Sequence, residues 1–558
     1  MEQIPSFISY IERSVKENWN LDALTDYNGE TLQYKDVARK IEKLHIIFSE
    51  AGIQKGDKIA LCGRNTSNWA VAFLSILTYG AVAVPILHEF KADQVHHIVD
   101  HSESRLLFVG DVVAKTIDAS QMPHVEGIIN IPDFSIFSSS NVKLTNAREH
   151  LNELFGAKYP KHFTKEHVSY HKDSPEEMAL INYTSGTTGF SKGCMIPYRA
   201  LWSNTDFAYQ VLGKHMKKGD NIISMLPMSH MYGMAFEFIF EFTMGCHIFY
   251  LTRIPSPKIV FQAFSEIKPV CVISVPLIIE KIIKKQVLPK LQTPAMRIML
   301  KMPIMGSKIK EKVRQKIVEA FGGRFYEVII GGAAFNGEVE QFLKSIGFNF
   351  TVGYGATECA PIIGYADWKE FKAGSCGKIA PRMEVKIVQD ESNPQYSESG
   401  ERIGEIVVRG TNVMLGYYKN PEATAKTLVD GWYHTGDLGL LDSEGNIFIK
   451  GRSKNMLLGS AGQNIYPEEI EDKLNAMPLV LESIVVQRGE SLVALVVPDA
   501  DEAQKLGLSK EEIAGVMEEN KKTLNTIVNN YEQIRDIEVQ DEEFEKTPKR
   551  SIKRYLYK

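Results

Sequence analysis

Apolar and polar positions follow two different rhythms along this chain. Up to about residue 380, short apolar runs alternate with longer stretches whose apolar residues recur at helical spacing, the pattern of a parallel sheet covered by helices. Val270–Ser274 reads as a strand, and the PLIIEKIIKK that follows reads as a helix. Lys310–Phe321 predicts an amphipathic helix closed by Gly322–Gly323 and leading into a strand over Tyr326–Ile330. From about residue 383 the strands shorten: Gly404–Arg409 alternates, and Asp442–Asn446 between two apolar runs predicts a hairpin turn. Beyond Arg452 the chain restarts with PEEIEDKLNAM, SIVVQR, SLVALVVP and a charged helix around Lys510–Asn530. Residues 110–175 carry the weakest pattern, and no internal repeat stands out.

The expected architecture is α/β. A large N-terminal domain, 1–453, has mixed and parallel sheets under helices plus a β-rich part over 383–453. A small, mobile α+β lid, 454–558, follows. The one stretch that could be mistaken for a membrane span, Trp69–Leu87, is uncharged over 19 residues. Gly80 splits it and Pro85 lies in its second half, so it predicts a buried helix followed by a buried strand at Ala81–Val84.

Composition adds limits. The 558 residues are 44% hydrophobic and 24% charged, a globular balance that excludes disorder and fibrous repeats. Lys and Arg number 64 against 69 Asp and Glu, so the net charge of −5 offers no basic field for nucleic acid. Six cysteines without a C-x-x-C pair predict buried, reduced thiols rather than a disulfide scaffold or a zinc site. The N-terminal MEQIPSFISYIERS lacks a basic start before an apolar stretch, so no signal peptide is expected and the protein reads as cytoplasmic. His96, His97 and His101 with Asp100 superficially suggest metal spacing; HHIVDH reads more simply as a solvated helix face.

The strongest local signal is YTSGTTGFSKG at 183–193, emerging from the apolar MALIN. Gly186, Gly189 and Gly193 allow close backbone approach. The hydroxyls of Thr184, Ser185, Thr187, Thr188 and Ser191, with the Lys192 ammonium, are what a polyphosphate needs. The order of residues departs from the ordinary P-loop, because Phe190–Ser191–Lys192 follows Gly189 where a Gly-Lys-Ser/Thr junction would stand.

Five further blocks join it: PMSHMYG at 227–233, GGAAF at 331–335, GYGATE at 353–358, VMLGYYKNPEAT at 413–424 with DGWYHTGDLG at 430–439, and GRSKNMLLGSAGQNIYPEEIE at 451–471. In this order and spacing the chain resembles the adenylate-forming superfamily of acyl-CoA synthetases, peptide-synthetase adenylation domains and luciferases. QNIYPEEIE and SHMYG are most similar to fatty acid–CoA ligases.

The resemblance implies two half-reactions: a carboxylate displaces pyrophosphate from ATP to give acyl-AMP, and coenzyme A, or an acyl carrier protein, then takes the acyl group. It implies that 184–192 hold the β- and γ-phosphates, and that Thr184 and Glu358 hold Mg2+. Gly332, Ala333 and Ala334 would pass the adenine, Tyr354 would stack on it, and Gly355 and Thr357 would sit beside it. Asp437 would accept from the ribose hydroxyls, Arg452 would reach ribose or phosphate, and Lys454 would mark the hinge. Gly459 and Gly462 would face the pantetheine arm. His230 would orient the carboxylate, and Met231, Tyr232, Phe236, Gly331 and Gly353 would line the acyl site. Thr351–Val352–Gly353 stands where acetate-type relatives carry a bulky tryptophan, which implies room for a medium- or long-chain fatty acid.

Two positions depart from the family. Its T-x-x-G-K-[IL]-x-R pattern reads Thr547–Pro548–Lys549–Arg550–Ser551–Ile552–Lys553–Arg554 here, so Ser551 occupies the position of the catalytic lysine. Lys549 and Lys553 lie two residues to either side, on the same face of an extended segment, and either could supply the charge. If neither does, the chain becomes a nucleotide-binding scaffold with impaired adenylation. Tyr198 replaces the usual histidine before Arg199.

Overall fold

The computed structural model describes residues 4–184, 192–252, 257–291, 293–392, 394–397, 399–458, 464–489, 491–547 and 551–557. An eight-stranded sheet forms the centre of the large domain, in the order 416–417, 192–197, 178–184, 82–86, 58–62, 106–109, 127–130, 136–139. The five strands from 178–184 to 127–130 run parallel, and the outer ones pair antiparallel. Val82–Ile86 and Leu106–Val109 are buried at every residue, as strands covered on both faces must be.

The Trp69–Leu87 stretch divides as its glycine and proline require. Helix Ser67–Tyr79 begins where Thr66 accepts from the Trp69 N–H at 3.1 Å and ends at Gly80 with φ +88°. Strand Val82–Ile86 follows. Trp69 stacks on Phe73 with ring centroids 5.4 Å apart, inside the main core. Among the described residues, no helix is long and apolar enough to cross a membrane.

A second sheet runs 221–224, 247–250, 22–26, 31–33, and a third, all parallel, runs 272–274, 328–330, 350–352. The register Ser274↔Ile330↔Val352 brings the ends of these three strands level, so the two glycine-containing blocks after Ile330 and Val352 open on one edge. The strand expected from Tyr326 begins at Val328, and the helix expected from Lys310 already begins at Pro303. Exposed apolar residues in its first turn hide that start from an amphipathic pattern. The β-rich part is an antiparallel sheet of 383–388, 402–410, 432–441 and 447–452 with short edge strands. Its 442–446 turn is held by Asp442 Oδ1, which accepts from the N–H groups of Glu444 and Asn446.

The smaller C-terminal domain has its own core, built by strands 480–488, 491–498 and 534–539 against helices 467–475 and 510–527. Its Asp472 docks on the large domain: the carboxylate accepts from the Gly337 N–H at 3.4 Å and from Asn336 Nδ2 at 3.2 Å. These donors open helix Gly337–Ser345, whose positive end favours an anion. Lys284 donates to the Asn475 carbonyl at 2.8 Å beside it. The cysteines are free thiols, buried except for the half-buried Cys376. On the partly exposed helix face of His96, His97, Asp100 and His101, the His101 Nδ1 bonds the Tyr183 hydroxyl at 2.8 Å.

Candidate active site

Strand register, rather than sequence proximity, assembles the motif residues. Thr184 and Lys192 are paired partners at the ends of adjacent antiparallel strands, and the Thr184 hydroxyl donates to the Lys192 carbonyl at 3.4 Å. Tyr417 pairs with Cys194 on the next strand, which sets its ring 4.9 Å from the Lys192 ammonium. The Tyr417 hydroxyl donates to Glu358 Oε1 at 2.9 Å, while the Met414 N–H donates to the Glu358 carbonyl at 2.8 Å. One tyrosine therefore spaces a carboxylate from an ammonium 166 positions away in sequence. Burial, with Glu358 beside it, pushes the Tyr417 phenol well above its usual range, so it stays a donor. Arg199 holds the segment leading into that strand by donating to the carbonyls of Thr411 and Val413, both at 2.6 Å.

The 227–233 block packs against the strand that carries Thr184. Asn182 Nδ2 donates to the Ser229 carbonyl at 2.9 Å, fixing 227–233 against the phosphate-loop strand. His230 opens a short helix, and its Nδ1 accepts from the Tyr232 N–H at 3.3 Å. The Tyr232 hydroxyl donates to the Ile329 carbonyl at 3.1 Å. Its ring packs so closely on Gly331 that a Cβ there would lie 3.2 Å from it. Gly331 and Gly353 continue neighbouring strands through N–H bonds to Ser274 and Ile330 at 3.1 and 2.8 Å. Gly332 (φ +89°), Ala333 and Ala334 are exposed at that edge. Met231 is fully buried in the main core, as is Phe236, and Thr351 donates its hydroxyl to the Ala366 carbonyl at 2.6 Å.

The third group is polar and tightly paired. Tyr354 donates its hydroxyl to Asp437 Oδ2 at 2.6 Å, and Arg452 Nε reaches Asp437 Oδ1 at 2.8 Å from the partnered position on the next strand. Burial pushes the Asp437 carboxyl up, and Arg452 opposes it. A carboxylate has about four acceptor directions, so it keeps acceptor capacity beyond these two donors. Gly355 is exposed, and a Cβ there would meet the Pro361 carbonyl at 2.4 Å, so only glycine fits. Thr357 is buried beside Glu358.

Lys454 is exposed in the turn 453–455. Lys553 pairs with Glu545, and the Thr547 N–H donates to the Ser551 carbonyl at 2.8 Å. Ser185, Gly186, Thr187, Thr188, Gly189, Gly459, Gly462 and Lys549 lie outside the described residues. Tyr198, the second departure, is a core residue whose hydroxyl donates to the Leu77 carbonyl at 3.2 Å.

Residues 11–418 match the family of AMP-binding enzymes, and 454–557 match the AMP-binding enzyme C-terminal domain. The chain belongs to this adenylate-forming family. It is 27% identical over 507 residues to the long-chain-fatty-acid–CoA ligase FadD15 of Mycobacterium bovis, covering 86% of this chain and 80% of that protein. It is 25% identical to a long-chain-fatty-acid–CoA ligase of Escherichia coli O157:H7, covering 87% of this chain and 83% of that one. Among solved structures, the anthranilate CoA ligase AuaEII with anthranoyl-AMP superposes with a TM-score of 0.77 at 19% identity, covering 100% of this chain and 97% of that one. The family's ATP and Mg2+ suit the groups present. Thr184 and Glu358 are hard oxygen donors, Lys192 is a cation at the same strand ends, and the edge at 332–334 bears nothing larger than a methyl group.

Proposed function

We propose that this chain is an AMP-forming acid–CoA ligase acting on a medium- or long-chain fatty acid. The carboxylate oxygen attacks the α-phosphorus of ATP, the α–β phosphoanhydride bond breaks, and pyrophosphate leaves. The coenzyme A sulfur then attacks the acyl carbon, its thiol proton passes to solvent, the acyl–phosphate bond breaks, and AMP leaves with an acyl-CoA as the other product. Such displacements ask mainly for positioning and charge neutralisation. Thr184 and Glu358 would hold Mg2+, which screens the phosphate charge, and Lys192 would add a fixed cation. His230 would orient the acid beside Tyr232 and Gly331, and Asp437 with Arg452 would hold the ribose. Lys454 would be the hinge between half-reactions, with Lys549 or Lys553 delivered by the lid.

One observation carries the reading. Three sets of contacts, Lys192–Tyr417–Glu358, Tyr232–Gly331 and Tyr354–Asp437–Arg452, link residues of the family's motif blocks that are far apart in sequence. The small Thr351–Val352–Gly353 entry and the fatty acid ligases among the relatives support an aliphatic chain. The anthranilate ligase supports an aromatic acid as second reading. Acid-dependent exchange of pyrophosphate into ATP, run with octanoate, palmitate, acetate and anthranilate, tests both. The fatty acids should dominate, and faster turnover with acetate or anthranilate overturns the substrate assignment. Acceleration of AMP release by free coenzyme A separates it from a carrier-protein acceptor. No exchange with any acid, while ATP still binds, leaves a scaffold.

A further inference from the structure

His230 is presented by a loop, 225–229, that joins strand Asn221–Ser224 of the second sheet to the short helix Met231–Met234. The loop has no ladder or helical turn of its own, and Pro227 removes one backbone donor, so other groups must hold it. Asn65 does so from the central sheet. It follows strand Lys58–Cys62, at the end where parallel sheets place their ligand-binding loops. Its Nδ2 donates to the Leu226 carbonyl at 2.7 Å and to Ser224 Oγ at 3.2 Å, and its Oδ1 accepts from the Met228 N–H at 2.9 Å. A carbonyl and an N–H partner together set which way the amide faces.

Glu237 grips the same stretch from the helix that follows. Its Oε2 accepts from the Met225 and Leu226 N–H groups at 2.9 and 2.8 Å, and the side chain is wholly buried. It lies in a π-helical turn, Ala235–Ile239, a widening that proteins keep mainly at functional sites. The loop and helix fit closely: a Cβ on Gly233 would lie 2.8 Å from the Pro227 carbonyl oxygen. That same carbonyl accepts from the His230 N–H at 2.9 Å. The backbone of His230 is therefore built on the stretch that Asn65 and Glu237 hold, from 161 and 11 positions away in sequence. Burying a carboxyl costs free energy that a hydrocarbon side chain would not, so stability alone does not account for Glu237.

We propose that Asn65, acting with Glu237, is a positioning residue for His230 in the acid-activating step. The pair works through the backbone: it fixes where the imidazole starts from, and so how the acid's carboxylate is aimed at the α-phosphorus. This rests on the role proposed for His230.

Acid-dependent exchange of pyrophosphate into ATP by the full-length chain tests it, run with the acid that wild type uses best, beside equilibrium binding of ATP. Asn65→Ala should lower kcat/KM for the acid on the order of 10–10²-fold while the ATP dissociation constant stays within about twofold. Glu237→Gln keeps an acceptor for both amides and should stay within about threefold of wild type, whereas Glu237→Ala should match Asn65→Ala. The decisive comparison is with His230→Ala: if Asn65 works through His230, adding Asn65→Ala to that variant should cause no further loss. Full additivity of the two losses, or an equal loss of ATP affinity, overturns the proposal, because general loosening of the core would produce both. If Asn65→Ala does not fold, Asn65→Asp, which keeps the acceptor for the Met228 N–H and loses the donor to Leu226, carries the same comparison. Deuterium uptake by the 224–231 amides should rise in either variant while strand 178–184 stays protected, and unchanged uptake overturns the clamp. Wild type that exchanges with no acid overturns the enzymatic reading and this proposal with it; wild type that exchanges while the variants add overturns this proposal alone.

Discussion

The cations on the two sides of the molecule are held by different means. In the large domain Lys192 ends a central-sheet strand, and its ammonium lies over a ring that itself grips Glu358. In the C-terminal tail Lys553 is held by Glu545, a half-exposed carboxylate on the surface. Strand register and burial fix a charge at low entropic cost, whereas a surface ion pair contributes about 0–1 kcal/mol and exchanges readily. The large domain can keep its buried pairs assembled, while the tail can release Lys553.

The largest effect should come from the best-buried group. Asp437→Ala removes the partner of both Tyr354 and Arg452, and should cut pyrophosphate exchange on the order of 10²–10³-fold. It should also cost about 1–3 kcal/mol of stability for the unpaired Tyr354 hydroxyl. Exchange kinetics and urea midpoints measure both, and an unchanged rate would show that register-held groups do not carry the nucleotide. Glu358→Gln keeps an acceptor for Tyr417, so stability should hold while exchange drops on the order of 10²-fold and its Mg2+ requirement rises. A Mg2+ titration of the variant checks this.

The domain boundary offers a pH test. Burial, with Asp472 of the smaller domain beside it, raises the Glu340 carboxyl from 4.5 to about 7. The folded chain therefore binds more protons than the unfolded one between those values, and this group's contribution to stability is lost as pH rises through the window. Glu340→Gln, which keeps the acceptor for the Gly374 N–H, should flatten that fall and gain about 2–3 kcal/mol relative to wild type by pH 8. Urea midpoints at pH 5 and 8 decide it. The smallest effect is expected in the tail. Lys553→Ala should lower exchange by less than about tenfold, and Ser551→Lys should raise it. A hundredfold loss from Lys553→Ala would mean that the Glu545 pair opens in turnover and the contrast between the two sides fails.

Much of the fold was legible because its signals are local. Gly80 and Pro85 divided an apolar run, and Gly322–Gly323 closed a helix. The glycine- and hydroxyl-rich blocks pointed to the family, which the match over residues 11–418 shows, because close backbone approach and acceptor chemistry leave a distinctive composition. What escaped depends on partners far away in sequence. Tyr417 stands inside a block read for its pattern, yet nothing local shows that it grips Glu358. Tyr354 reads as a ring for stacking, while its hydroxyl bonds Asp437. Met231 sits in an apolar run whose buried face periodicity alone does not assign. Asp472 docks on a helix start 135 residues earlier, and only the folded chain brings the two together.

Arg452 has a further consequence. It is the last residue of its strand, and the turn at Ser453–Asn455 leads straight into the smaller domain. Under the proposed hinge at Lys454, the side chain that completes the Asp437 pair would also be the end of a lever. A ligand that alters this pair shifts the lever's equilibrium, and by reciprocity displacing the lever shifts affinity for that ligand by the same factor. If the nucleotide is held here as proposed, its occupancy and the orientation of the smaller domain would be two readings of one balance, and a distance probe across residue 453 could serve as a binding assay.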